Sequence, residues 1–141
     1  MGEETPQRIL LAGAAILAPM MKPYGFVFKI ETHGKGSENW FTSGTYCQDD
    51  RRLELHFRYT LGLVTYHIGC DSLDHEIYMR LLGVYGTHQY PDFPRDPLES
   101  FHHLAADIQK HCQDFTVGDG SHFHSLAQAF EQDPAMFKGI P

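Results

Sequence analysis

Along the chain, the spacing of apolar residues changes twice, from a helical period to an alternating one and back. Ile9, Leu10, Gly13, Ile16, Leu17 and Met20 recur three or four apart, which predicts a helix from Thr5 to Met20. Thr5 suits its N-cap and Pro6 its first position, while Pro19 must disturb the last turn. "KPYG" then closes the element, with Pro23 and Gly25 as breakers.

From Phe26 the period becomes two. Phe26, Phe28 and Ile30 alternate with Val27, Lys29 and Glu31, as a half-buried strand requires. "HGKGSEN" has turn composition, "WFTSGTYC" (Trp40–Cys47) reads as a second strand with Gly44 at a bulge, and "QDDR" turns the chain again. "RLELHFRYTLGLVTYHIGC" (Arg52–Cys70) then predicts a hairpin around Leu61-Gly62. Pairing Tyr59 with Val64, Phe57 with Tyr66, Leu55 with Ile68 and Leu53 with Cys70 makes one face wholly apolar, and a one-residue slip destroys that face. The other face then carries Glu54, His56, Arg58, Thr65 and His67, with His56 directly opposite His67.

Helical spacing returns at "DSLDHEIYMRLLG", where Asp71 or Ser72 serves as cap, Leu73, Ile77 and Leu81 form the apolar row, and Gly83 is the stop. "DPLESFHHLAADIQKHCQDF" carries the clearest start signal: Asp96 as cap, Pro97 at the first position, and Glu99 in capping-box position. Its apolar stripe is Phe101, Leu104, Ile108, Cys112 and Phe115. "SHFHSLAQAF" begins a further helix with Phe123, Leu126 and Phe130 inward, and Asp133-Pro134 starts a short turn or tail. The order predicts one α+β domain over residues 1–141: an N-terminal helix, a four-stranded antiparallel meander, then two or three helices packed on one face of the sheet.

Composition narrows the function classes. A chain of 141 residues, 42% hydrophobic and 21% charged, can bury a core of its own. The net charge of −7 argues against nucleic acid, whose phosphates call for a basic stripe. There are ten histidines, so complete protonation would carry the formal charge from −7 to +3. Cys47, Cys70 and Cys112 form no CxxC pair and suit a reducing cytoplasm. Cys70 falls on the apolar strand face and Cys112 on the helical stripe, as core thiols do. The run "ILLAGAAILAPMM" is preceded by Glu3 and Glu4, where a signal peptide is basic, and is too short to span a bilayer. The expectation is a cytoplasmic protein away from membranes.

Candidate chemistry is sparse. Opposed strand positions lie about 4.5–5.5 Å apart at Cβ, so His56 and His67 could share one ion with Glu54 as third ligand, a set suited to zinc or iron. The same residues also make an ordinary polar sheet face. His75, in "DHE", would join them if its helix end folded over the sheet. His103 and Asp107 stand at i, i+4, the spacing of a surface hydrogen bond, while His122 and His124 fall on opposite sides of a helical start. The segment Tyr85–Asp96 is long for a connection. It offers Tyr85, His88, Tyr90, Phe93 and Arg95, stiffened by Pro91 and Pro94, as partner anchors; the alternative is that Tyr90 and Phe93 tuck under it and close the core.

The opening "LAPMMKPYGF", with Leu-x-Pro, a Lys before Gly-Phe and short strands after it, resembles small bacterial families of unknown function, some of them similar to immunity proteins. The resemblance covers the first half of the chain and excludes "YMRLLG" and "YPDFPRDPLESF". It implies an acidic one-domain protein that binds and neutralises a toxin, and it transfers no catalytic residues.

The leading expectation is therefore a small intracellular protein-binding module without a cofactor, contacting its partner through the polar sheet face, including Arg58, or the Tyr85–Asp96 loop. An exposed edge strand is compatible with a homodimer. The rival is a metal-dependent enzyme or metal-binding protein using a divalent ion at His56, His67 and Glu54. A ligand pocket between sheet and helices is a third reading, and it needs a sizeable cavity.

Overall fold

The computed structural model describes residues 6–33, 41–58, 60–84, 86–90 and 96–133. Helix α1 spans Pro6–Met21. Its expected cap, Thr5, and the expected strand start, Trp40, lie outside the described residues. Leu10, Ala14, Leu17 and Met21 are its buried row, flanked by the partly buried Ile9, Ile16 and Met20. The helical face is thus rotated slightly from the one the apolar spacing suggested. Pro19 sits inside the last turn, which continues into a 3-10 turn at Lys22–Tyr24. Gly25, at φ 94°, ends that turn with its N–H on the Lys22 carbonyl at 3.0 Å.

The strands are β1 (Val27–His33), β2 (Phe41–Gln48), β3 (Arg51–Arg58), β4 (Thr60–Ile68) and β5 (Asp71–Asp74), all antiparallel and arranged in sequence order. The sheet has five strands, not the expected four. Gly69, at φ 61°, turns the chain back after Ile68, so Asp71 pairs with Ile68 and Leu73 with Tyr66. Asp71 and Ser72 are therefore strand residues. The cap belongs to Asp74, whose carboxylate accepts from the Ile77 N–H at 2.9 Å.

The hairpin register also differs from expectation. Leu53 pairs with Tyr66, Leu55 with Val64, Phe57 with Leu61 and Arg58 with Thr60, so Leu61 and Gly62 lie within β4 rather than in the turn. Before the bulge the partners shift by four residues, an even change that keeps Leu53, Leu55, Val64, Tyr66 and Ile68 facing inward, and alternation alone cannot separate registers that differ by an even number; beyond it Phe57 shifts by five, to Leu61. Leaving Gly62 and Leu63 together opposite His56, the ladder bulges there. His67 consequently pairs with Arg52, not His56, and Cys70 is exposed in the turn rather than on the apolar face. The second bulge lies in β1, between Ile30 and Thr32, instead of at Gly44. A Cβ on Gly44 would lie 2.4 Å from the Phe28 ring, so its missing side chain makes room for that ring.

After the sheet come α2 (His75–Leu81), α3 (Pro97–His111), the single-turn α4 (Gln113–Thr116) and α5 (Ser121–Gln132). Asp96 caps α3 by accepting from the Leu98 N–H at 3.0 Å, with Pro97 at the first position. The expected stripe of Phe101, Leu104, Ile108, Cys112 and Phe115 is fully buried, although α3 ends at His111 with Cys112 as its cap and Phe115 belongs to α4. The expected turn at Asp133-Pro134 falls largely outside the described residues.

All the helices meet the same sheet face, directly or through one another. The Tyr46 hydroxyl of β2 donates to the Ala14 carbonyl of α1. Phe101 of α3 stacks on Phe57, with ring centroids 6.2 Å apart. Tyr78 of α2 and Phe115 of α4 both meet Tyr66 edge-on at 5.0 Å, and Phe123 of α5 meets Tyr78 at 5.2 Å. Arg51 secures the end of this layer, donating to the carbonyls of Phe115 at 2.7 Å and Gly118 at 2.6 Å. The result is two layers, with the core between them.

Candidate functional site on the outer sheet face

The face turned away from the helices is polar by the same alternation that makes the inner one apolar. One row crosses all five strands as Lys29, Thr45, Glu54, Thr65 and Asp74, and a second as Val27, Cys47, Arg52, His67 and Ser72. Glu54 therefore sits on the central strand at the middle of the face. His56 lies two residues along β3, and His67 is diagonal to Glu54 on β4. The His56 Nε2 is 2.8 Å from Glu54 Oε2, and the His67 Nε2 is 2.9 Å from Glu54 Oε1. A carboxylate only accepts, so each imidazole donates through Nε2. Burial pushes the Glu54 carboxyl up, but the His67 and His56 hydrogen bonds outweigh it and hold the group below its ordinary value. Thr45 completes the centre by donating to Glu31 at 2.7 Å.

Glu54, His56 and His67 thus come together without the expected direct opposition, through one carboxylate shared by two histidines. Each histidine occupies a different oxygen. Among the described residues no group of three or more His, Cys, Asp or Glu side chains is placed to hold a metal ion. Beside His56, the bulge presents Leu63, a large apolar side chain 57% exposed.

Several other residues singled out by the sequence gather on the opposite side of the sheet. His75 does not fold over toward Glu54. Its Nδ1 lies 2.7 Å from the Tyr66 hydroxyl and its Nε2 3.0 Å from Asp107 Oδ2. His75 and Asp107 are each only 2% exposed at the side chain. Asp107 also accepts the N–H groups of Gln89 and Tyr90, both at 2.8 Å. The donors fix the tautomer: Asp107 accepts only, so Nε2 carries the proton and Nδ1 receives the Tyr66 hydroxyl. Cys112 donates to Tyr66 across 3.7 Å, and burial pushes its thiol up to about 12. The His75, Asp107, Tyr66 and Cys112 side chains are buried and hydrogen-bonded to one another, as a structural tie requires, and the exposed Gln89 brings the network to the surface.

Asp107 is therefore not the surface partner of His103, which pairs with Glu99 at 3.9 Å. His124 joins α5 to β5 through Asp71 at 2.5 Å. Tyr90, expected as a partner anchor, is buried, and its hydroxyl donates to the Leu61 and Gly62 carbonyls of β4. His88 is half-buried, its ring 6.3 Å from that of His75. Tyr85, Phe93 and Arg95 lie outside the described residues, as does the side chain of Arg58.

Sequence reasoning missed the exposure of Leu63 and gave Asp107 the wrong partner. Leu63 looked like an ordinary strand residue because the bulge that exposes it depends on register. Asp107 had a signal: it stands three residues after Leu104 and one before Ile108, at the margin of the buried stripe. A cavity of about 170 Å³ opens among Pro19, Met20, Tyr24, Ile108, Gln113 and Thr116. It falls short of the roughly 300–1,000 Å³ of small-molecule sites. No helix among the described residues is long and apolar enough to cross a membrane. No family model, curated protein or solved structure matches the chain.

Proposed function

We propose that the chain is a small intracellular protein-binding module, and that its partner docks on the outer sheet face at the β3–β4 bulge. The observation that carries the reading is Leu63, held exposed beside His56 on a face that the helices leave uncovered. An apolar anchor beside ordered polar groups matches the usual anatomy of a protein interface. The Glu54 cluster supplies those polar groups with its hydrogen bonds already formed, which lowers the ordering cost of association. The net charge of −7 favours a basic partner and speeds encounter more than it deepens affinity. The immunity-like resemblance of the first half supplies a partner class, a protein toxin.

Site-specific photo-crosslinking tests the reading. A photoreactive side chain at Leu63, expressed in the native host, should give one reproducible protein adduct. The same group at Gln128, exposed on α5, should give none. Equal labelling from both positions, or no adduct from position 63, refutes docking at the bulge.

A further inference from the structure

We infer that Asp107 and His75 form an acid-released latch on residues 86–90. The latch does not rest on the docking reading; Asp107 and His75 lie on the helix side of the sheet, although the Tyr90 hydroxyl reaches the Gly62 carbonyl at the same bulge. Its geometry is specific. Two consecutive backbone N–H groups, of Gln89 and Tyr90, end on one buried carboxylate, and the Tyr90 hydroxyl fastens the same segment to the Leu61 and Gly62 carbonyls. Asp107 is held in turn by His75, whose other nitrogen is committed to Tyr66. One imidazole thus connects the latch to β4 and α3 together.

The groups facing His75 set how the latch answers to protons. Tyr66 approaches from β4, Asp107 from α3, and His88 and Tyr90 from the latched segment; Asp74 stands at its own helix cap, while Cys112 and Tyr78 meet Tyr66 from behind. Burial disfavours a charged His75 and His88 adds to that, while Asp107 and Asp74 oppose it; burial prevails and holds the imidazole below its ordinary value. Protonation would put a hydrogen on Nδ1, turning the Tyr66 hydroxyl from donor to acceptor and leaving its own hydrogen only the Cys112 sulfur. Once residues 86–90 lift away, His75 meets water and regains an ordinary affinity for the proton. Protons therefore favour the open form. The latch holds above about pH 6.5 and weakens as pH falls, by at most about tenfold in the opening equilibrium per pH unit. Asp107, held low by His75 and the two backbone donors despite its burial, gives way only in stronger acid.

Amide hydrogen exchange by NMR tests this on the whole chain, with rates corrected for intrinsic pH dependence. At pH 7.5 the amides of Gln89 and Tyr90 should exchange through an opening smaller than global unfolding, and so be less protected than those of Leu53 and Leu55. Between pH 6.5 and 5 their protection should fall by up to tenfold per unit. His75→Gln keeps a donor toward Asp107 and cannot titrate, so it should abolish that fall. The side-chain ¹⁵N shifts of wild-type His75 give a readout that does not depend on the variant folding, and should show the neutral Nε2–H form at pH 7.5. Protection identical to that of Leu53 at every pH, pH-independent opening, or a charged His75 at pH 7.5 would each overturn the latch.

Discussion

Replacing Gly13 by alanine sets helix propensity against packing, and the structure says which wins. In an exposed helix the change gains about 0.8–1 kcal/mol. Here a Cβ on Gly13 would lie 2.4 Å from Cδ1 and Cε1 of Phe101 and 2.5 Å from Cγ. Ordinary carbon contacts are about 3.5–4.0 Å, so the ring or the helix must move by about an ångström. The ring cannot retreat freely: it is fully buried and stacks on Phe57. Overpacking of this kind typically costs about 1–3 kcal/mol, and a rigid aromatic face puts it at the upper end. Less the propensity gain, the net loss is about 2 kcal/mol, or roughly 8 °C in Tm for a domain of this size. Urea unfolding followed by circular dichroism measures it. A cycle with Phe101→Ala, expected alone to cost about 3–5 kcal/mol, isolates the contact. With the ring gone, Gly13→Ala should no longer destabilise. A Gly13→Ala protein as stable as wild type would refute the close approach of α1 and α3.

Three further outcomes are expected. Glu54→Gln should lower stability by no more than about 1 kcal/mol, because the cluster is partly exposed; wild type should lose this increment as pH falls through the depressed Glu54 value, so urea midpoints of the two proteins should converge in acid. In a thiol titration at pH 8, the exposed Cys70 should react first and the half-buried Cys47 more slowly, while the buried Cys112 should stay silent until denaturant is added. Arg51→Lys should cost about 1.5–3 kcal/mol by thermal unfolding, since one ammonium cannot span the Phe115 and Gly118 carbonyls that the guanidinium reaches together; a neutral result would mark those contacts as unimportant.

The features legible in the sequence are those decided by neighbours a few residues apart. Asp96-Pro97 starts α3 through a local hydrogen bond and a preset φ, and the Phe101–Phe115 stripe follows from helical spacing. Phe26, Phe28 and Ile30 face inward because alternation is a property of the strand itself. β5 was hidden because Asp and Ser look the same in a short strand as at a helix cap. Register was hidden because alternation repeats every two residues, so the bulge and the exposed Leu63 had no local signature. The Glu54–His56–His67 cluster survived that error, since an even shift keeps all three on one face. Asp107 was read as a surface partner because its real partners come from α2 and residues 89 and 90, contacts made only when the chain is folded.

The strand order has a kinetic consequence. Because every strand pairs with its neighbour in sequence, the sheet assembles by closing short loops, whereas the Gly13–Phe101 contact must bring together distant halves of the chain. Loop closure grows costlier with separation, so a sheet-first order makes α1 the last element to dock. In a chevron experiment Gly13→Ala should then speed unfolding and leave the refolding rate nearly unchanged, while substitutions in the β3–β4 hairpin should slow refolding. On this view α1 is a late-fitted clasp: it contributes little to how quickly the sheet forms and much to how long the finished molecule persists.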